Sequence, residues 1–129
     1  MSDNSLQKIL YVEDEPDISQ VAKLALENIG GFQVELCENG KVALEVAPAY
    51  LPDLILLDVM MPDMDGPTTL TELRKIPELK NVPVVFMTAK VQPSEVASYR
   101  ALGAVDVISK PFDPMTLAEQ VKTIWSKTA

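Results

Sequence analysis

Short apolar runs alternate with longer stretches of helical spacing in this chain, and the pair recurs five times. The runs at 9–12, 54–57 and 82–87 are almost continuously apolar, as expected of strands covered on both faces. The segment 32–36 alternates apolar and polar residues, and 105–108 is short and partly polar, which is typical of edge strands. This alternation predicts an α/β fold, a doubly wound parallel sheet of five strands flanked by five helices.

Proline, glycine and capping residues mark where the predicted helices begin and end. The helices are expected to begin at Pro16, after Asn39-Gly40, at Pro67, at Pro93 and after Asp113-Pro114, and the first four to end at Gly30, before Pro48, before Pro77 and at Gly103. No linker and no low-complexity segment interrupts the alternation. One domain is therefore expected to account for residues 1–129.

The charge balance argues against two classes of partner. The chain has 11 Lys and Arg against 19 Asp and Glu, a net charge of −8, which disfavours direct binding to nucleic acid through phosphate contacts. No apolar stretch approaches the length of a membrane span, and residues 1–5 lack the basic and apolar layout of a signal peptide. A soluble cytoplasmic protein without membrane contact is the expectation.

Two gaps in the residue inventory restrict the chemistry further. The chain contains no histidine, so histidine-based nucleophile systems and zinc sites are excluded. Cys37 is the only cysteine, so neither an intramolecular disulfide nor a cysteine cluster for a metal can form. Any chemistry has to come from carboxylates, hydroxyls, lysines and a hard metal ion.

Polar residues follow four of the five predicted strands. Glu13 and Asp14 follow the first, Asp58 the third, Thr88 the fourth and Lys110 the fifth. In an open parallel sheet the ligand crevice lies beyond the carboxyl ends of the strands. Because the first, third and fourth runs are interpreted as central, these side chains are expected to converge on one pocket.

The residue types in that pocket predict phosphoryl chemistry. Clustered carboxylates repel one another unless a cation lies among them, and all-oxygen ligands favour Mg²⁺ or Mn²⁺. Magnesium held by Glu13, Asp14 and Asp58 would neutralise an incoming phosphoryl group, while Thr88 and Lys110 would contact its remaining oxygens. A carboxylate can itself accept a phosphoryl group, and Asp58, at the end of the middle strand, is the best candidate nucleophile.

Four motifs extend this interpretation to a family. They are Tyr-Val-Glu-Asp-Glu-Pro at 11–16, Leu-Leu-Asp-Val-Met-Met-Pro-Asp-Met-Asp-Gly at 56–66, Met-Thr-Ala at 87–89 and Ser-Lys-Pro-Phe at 109–112. Their order and spacing closely resemble the response regulator receiver domain of two-component signalling. The resemblance covers nearly the whole chain and implies the flavodoxin-like strand order 2-1-3-4-5.

The resemblance also implies partners and further roles. Asp58 would accept phosphate from the phosphohistidine of a sensor histidine kinase or a histidine phosphotransfer protein, and the phosphorylated form would control a downstream protein. The backbone carbonyl of Met60 would join Glu13, Asp14 and Asp58 as a magnesium ligand. The Lys110-Pro111 bond would be cis, and the face made by the fourth helix, fifth strand and fifth helix would be the output surface.

Several positions depart from the family pattern or bear on its rates. Glu13 stands where the family usually has aspartate, a change that keeps the charge. Val107 stands where a switching Tyr or Phe is common, so we expect the output to be read through backbone shifts or through Tyr99.

Met60 and Lys90 follow Asp58 and Thr88 by two residues and flank the expected path of attacking water. The Met60 side chain is apolar and cannot orient an attacking water molecule, so loss of the phosphoryl group from Asp58 by self-dephosphorylation is expected to be slow to moderate.

The sequence leaves two alternatives to a self-contained receiver. One is a small magnesium-dependent phosphatase with an aspartyl-phosphate intermediate, which would need a general acid two residues after Asp58, where Met60 stands. The other is a receiver cut from a longer protein. The preferred hypothesis is a signalling module that acts by binding and is not a multiple-turnover enzyme, apart from phosphorylation and dephosphorylation of Asp58.

Overall fold

The computed structural model describes residues 5–128, which form a regular alternation of strands and helices. The strands are β1 (Lys8–Val12), β2 (Gln33–Cys37), β3 (Leu54–Asp58), β4 (Val84–Thr88) and β5 (Asp106–Ser109). The helices are α1 (Pro16–Asn28), α2 (Gly40–Tyr50), α3 (Gly66–Arg74), α4 (Pro93–Ala101) and α5 (Leu117–Thr128), with a short 3₁₀ helix at Pro77–Leu79. No helix in this part of the chain combines the length and apolar character that a membrane crossing requires.

The five strands form one parallel sheet in the order β2-β1-β3-β4-β5. This confirms the predicted fold class, the strand order and the assignment of β2 and β5 to the edges. The order reverses between β1 and β3, which is where a doubly wound sheet opens a crevice at its carboxyl edge. Asp58 at the end of β3 lies in register with Met87 of β4, and Thr88 with Ser109 of β5.

Each face of the sheet carries its own apolar core. Ile9 and Tyr11 point from β1 towards α1 and α5, where they meet residues such as Leu26 and Val121. Leu10 lies on the opposite face, in the core beneath α2 and α3. Consecutive strand residues point to opposite faces, so residues two apart share a face. Tyr11 and Glu13 are such a pair, and their common face matters for the site.

The end of α2 corrects one prediction. The helix was expected to stop before Pro48, yet it continues to Tyr50. Proline lacks an amide hydrogen, but this far along the helix it removes only a single hydrogen bond of the final turn. Leu51 closes the helix in the left-handed region at φ 54°, with its N–H donating to the Ala47 carbonyl at 2.8 Å. The Tyr50 hydroxyl donates to the Gln33 carbonyl at 3.0 Å and ties this last turn to β2.

The segment before α5 shows how a capping residue can act one turn early. The Asp113 carboxylate accepts the Met115 N–H at 2.9 Å, and the Asp113 carbonyl accepts the N–H groups of Thr116 and Leu117. The predicted cap therefore organises a turn, and the regular helix begins only at Leu117. The cis Lys110-Pro111 bond precedes this turn, as the family resemblance implied.

Candidate functional site

The carboxyl edge of the sheet brings the predicted site residues together. Glu13 and Asp14 follow β1, Asp58 ends β3, Thr88 ends β4 and Lys110 follows β5. A cleft of about 300 Å³ is lined by Asp14, Asp58, Thr88 and Lys110. Glu13 does not line this cleft, but it contacts Lys110, which does. Convergence follows from the topology, because all five parallel strands end at this edge.

Three carboxylates form the acidic part of the site. One oxygen from each of Glu13, Asp14 and Asp58 lies within 4.8 Å of the others. Glu13 and Asp58 are buried, and Asp14 is half-buried at the rim. Hard oxygen donors at this spacing suit Mg²⁺, which binds through one or two carboxylates and keeps several waters. The donor set therefore fits the predicted ion, and Met60, next but one after Asp58, lines the same cleft.

Lys110 connects two of these carboxylates. Its Nζ lies 3.0 Å from Glu13 Oε1 and 3.1 Å from Asp58 Oδ1, and its side chain is only 17% exposed. Charge-assisted hydrogen bonds of this kind are stronger than neutral ones, and burial reduces their screening by solvent. The lysine supplies one positive charge to a cluster that holds three negative ones.

The electrostatics of the cluster follow from burial. Desolvation raises the pKa of Asp58 and of Glu13, against the opposing hydrogen bonds from Lys110. Burial lowers the pKa of Lys110, but its hydrogen bonds to Glu13 and Asp58 outweigh this and raise the pKa overall. The lysine is thus held in its cationic form, while the carboxylates carry a cost that one lysine does not remove. An added cation would reduce that cost.

Tyr11 is a member of this network that sequence reasoning treated only as part of a motif. Its hydroxyl donates to Glu13 Oε1 at 3.2 Å, and the side chain is fully buried. Burial, followed by the charge of Glu13, raises the pKa of Tyr11 strongly, so the phenol remains a hydrogen-bond donor. The available signal was the spacing of two residues along one strand, which places both side chains on one face.

Thr88 presents a hydroxyl at the end of β4. Its side chain is buried, and Oγ1 accepts the Lys90 N–H at 3.1 Å. Accepting through oxygen leaves the hydroxyl hydrogen able to donate. The Thr88 carbonyl also accepts the Lys110 N–H at 2.9 Å, so the backbone ties these two predicted phosphoryl contacts together.

Gly66 was not identified from the sequence as a site residue. A Cβ at this position would lie 2.6 Å from the Asp58 carbonyl oxygen, so only glycine lets α3 start so close to β3. The Gly66 N–H donates to the Val59 carbonyl at 2.9 Å, and the Asp65 carboxylate caps α3 through the Thr68 N–H. The loop after Asp58 is therefore held at both ends.

The position of Val107 is occupied differently from the common family pattern. Val107 is half-buried and lies in register with Phe86 of β4. Tyr99 of α4 places its ring edge-on against Phe86, with centroids 5.3 Å apart and planes at 77°. An aromatic side chain therefore reaches this part of the core from α4, whereas β5 contributes an aliphatic one.

Comparison with known proteins identifies the family. A family model of the response regulator receiver domain matches residues 9–122. The chain is 37% identical over 125 residues to the CpxR homolog of Haemophilus influenzae, a transcriptional regulatory protein, covering 96% of this chain and 52% of the relative. The chain belongs to the response regulator receiver family of two-component signalling, whose members bind Mg²⁺ at an acidic pocket.

Solved structures agree with this assignment. The chemotaxis response regulator CheY4 of Vibrio cholerae superimposes with a TM-score of 0.86 at 30% identity, over 93% of this chain and 99% of that one. The receiver domain of a histidine kinase from Syntrophus aciditrophicus gives a TM-score of 0.79 at 37% identity, over 94% and 91% of the two chains. Curated relatives are longer, and the chain spans 27% to 55% of their lengths.

Proposed function

We propose that this chain is a phosphorylation-controlled signalling module that accepts a phosphoryl group on Asp58. The observation that carries the proposal is the setting of that carboxylate: it ends the central strand β3, is buried, lies 3.1 Å from Lys110 and shares an oxygen cluster with Glu13 and Asp14. Such a setting places one lysine and a set of metal ligands around one candidate nucleophile. Phosphoryl transfer depends chiefly on positioning and charge stabilisation of this kind.

In the proposed reaction an Asp58 oxygen attacks phosphorus in line with the leaving group. The new O–P bond makes an aspartyl phosphate, and the P–N bond of a phosphohistidine breaks with its electron pair remaining on the imidazole. Mg²⁺, when bound by Glu13, Asp14, Asp58 and the Met60 carbonyl, would neutralise charge on the phosphoryl oxygens. Lys110 and the Thr88 hydroxyl would donate to the oxygens left free.

A phosphohistidine donor has to lie outside residues 1–129, because these residues include no histidine. We propose a sensor histidine kinase or a histidine phosphotransfer protein. An apolar groove of about 230 Å³ abuts Lys110 and is lined by Ile18, Val21, Pro111 and Phe112. Apolar contact in this groove would hold the donor histidine next to the cleft, which supports a protein donor over a small free phosphate ester.

The phosphorylated form would act on a downstream protein. Every residue of α4 is at least partly exposed, and Tyr99 links the helix to Phe86 behind the site. A helix without buried residues can change position at a low cost in free energy, and phosphorylation would bias the equilibrium between its positions.

The Met60 side chain offers no proton for a phosphatase-type leaving group, which favours signalling over turnover of an external substrate. We propose a cytoplasmic location, where such kinases phosphorylate their partners.

Intact-mass spectrometry with Mg²⁺ and a small acyl-phosphate donor tests this proposal. The wild-type chain should gain one phosphoryl group, and the gain should be absent with EDTA and in Asp58→Asn. Asp63→Asn is the matched control, because Asp63 is exposed and has the positive φ of 69° that asparagine tolerates well. A gain that persists in Asp58→Asn, or no gain in the wild type, would contradict the proposal.

A further inference from the structure

Tyr11 places a polar group where the core needs none. It is fully buried in β1, on the face with Ile9, Leu26 and Val121. A buried hydroxyl costs free energy unless it finds a partner, and phenylalanine would fill the same space without that requirement. The hydroxyl therefore calls for an explanation beyond packing.

Its partner is a proposed metal ligand. The hydroxyl donates to Glu13 Oε1 at 3.2 Å. Residues two apart on a strand are separated by roughly 6.6 Å along its axis, so a long side chain is needed to bridge them. Glutamate has one methylene more than aspartate, so we expect an aspartate at position 13 to leave its carboxylate short of the phenol. Tyr11 and Glu13 are thus matched in length as well as in chemistry.

Three hydrogen-bond donors contact the Glu13 carboxylate, and they differ in the other groups that they bind. Oε1 accepts from Tyr11 at 3.2 Å and from Lys110 at 3.0 Å, and Oε2 accepts the Glu15 N–H at 3.3 Å. Lys110 also binds Asp58 and is the proposed contact of the phosphoryl group. Tyr11, held by a packed core, is the side-chain donor that serves Glu13 without serving the phosphoryl group.

We propose that Tyr11 is a positioning residue that fixes the Glu13 carboxylate for Mg²⁺ binding, an inference that rests on the proposed function. Glutamate has more rotational freedom to lose than aspartate when it becomes a ligand. The hydrogen bond from a rigid ring removes part of that freedom before the ion binds.

A structural role would run in the opposite direction, with Glu13 present only to satisfy the phenol. Both roles predict that Tyr11→Phe changes the unfolding free energy, so stability alone does not separate them. Magnesium affinity does. Tyr50→Phe provides a control, because Tyr50 is a second tyrosine whose hydroxyl donates to a carbonyl, that of Gln33, and it lies far from the carboxylates at the other end of the sheet.

The experiment is a Mg²⁺ titration of the unphosphorylated protein, followed through backbone amide shifts of the site loops by NMR. Variants are Tyr11→Phe, Glu13→Asp, the double variant and Tyr50→Phe. Tyr11→Phe should weaken binding about three- to tenfold, less than one full charged hydrogen bond is worth. Tyr50→Phe should leave the Kd unchanged. In the Glu13→Asp background, Tyr11→Phe should have no further effect on the Kd and should raise the Tm, because it removes an unsatisfied phenol.

An unchanged Kd in Tyr11→Phe, or an equal loss in both backgrounds, would overturn the inference while leaving the proposed function intact. Failure of the wild-type chain to bind Mg²⁺ at all would overturn the proposed metal site and this inference with it. The two failures are therefore distinguishable in a single data set. If Glu13→Asp alone is too unstable to measure, the comparison of wild type, Tyr11→Phe and Tyr50→Phe still tests the inference.

Discussion

The two ends of the sheet use charged residues in opposite ways. At the amino end two charged side chains next to β1 are satisfied by nearby backbone: the Asp53 carboxylate accepts the N–H groups of Gln7 and Lys8, and Lys8 Nζ donates to the Tyr50 carbonyl. At the carboxyl end the charges face one another, with Glu13 and Asp58 sharing one lysine. The first arrangement is complete in itself, whereas the second is incomplete without a further cation.

This difference indicates that charged residues at the amino end contribute to stability, whereas those at the carboxyl end contribute to function. Backbone-satisfied charges hold the chain in its fold and need no ligand. Crowded carboxylates with raised pKa values cost the folded state free energy at neutral pH, and a ligand that relieves the cost gains affinity. Substitutions at the amino end should therefore cost stability alone, and those at the carboxyl end should cost function first.

Asp58→Asn should give the largest effect on function. It should not lower the stability of the folded protein. Phosphorylation by an acyl-phosphate donor should be abolished. The unfolding free energy at pH 7 should be no lower than that of the wild type, because burial raises the pKa of Asp58 and its ionised form is the costly one. Denaturant unfolding in EDTA measures this. A marked loss of stability would show that the carboxyl end is built like the amino end.

Lys110→Met should affect both properties, because it removes the cation that bridges Glu13 and Asp58. Phosphorylation should slow about 10²- to 10³-fold, as for loss of one preorganised charge-stabilising donor. The unfolding free energy in EDTA should fall by about 3 kcal/mol, since two buried carboxylates lose their partner. Mg²⁺ should restore part of that loss. A variant as stable as the wild type in EDTA would contradict this description of the cluster.

Asp53→Ala should produce the reverse pattern. Two N–H groups at the start of β1 lose their acceptor, at 3.0 Å and 2.8 Å, and the unfolding free energy should fall by about 1–3 kcal/mol. The rate of phosphorylation should stay at the wild-type value, because the site lies at the opposite end of the sheet. Asp53→Asn, which keeps an acceptor oxygen, is the control and should lose less. A slowed phosphorylation in Asp53→Ala would break the separation of the two ends.

The smallest effect is expected at Met60, whose side chain is 65% exposed at the cleft. Met60→Asn introduces an amide that can orient an attacking water, so loss of the phosphoryl group from Asp58 should become several-fold faster. The decay of phosphorylated protein after removal of the donor gives this rate. Met115→Asn, at another exposed methionine far along the chain, should leave it unchanged. Equal decay rates in all three proteins would show that Met60 has no influence on water.

Much of this could be predicted from the sequence because the determinants are local or topological. Dense apolar runs predict central strands, and parallel strands end at one edge, which is enough to expect Asp14, Asp58, Thr88 and Lys110 in one place. The edge positions of β2 and β5 follow from their polar residues.

What the sequence did not predict depends on side-chain conformation and on tertiary contacts. No pattern indicates that Lys110 bridges Glu13 and Asp58, or that the Tyr11 hydroxyl reaches Glu13, because both need the actual distances. The close approach of Gly66 to Asp58 is a feature of packing between α3 and β3. Continuation of α2 through Pro48 reflects the tertiary bond of Tyr50 to β2, which outweighs a local helix-stop signal.

The central claim is that Asp58 is the phosphoryl acceptor. Borohydride reduction of the protein after reaction with Mg²⁺ and an acyl-phosphate donor converts an aspartyl phosphate to homoserine, and tandem mass spectrometry of the peptides locates it. The account predicts homoserine at position 58 and at no other aspartate, and its loss when EDTA replaces Mg²⁺. Homoserine at Asp14 or Asp63 instead, with Asp58 unmodified, would contradict it.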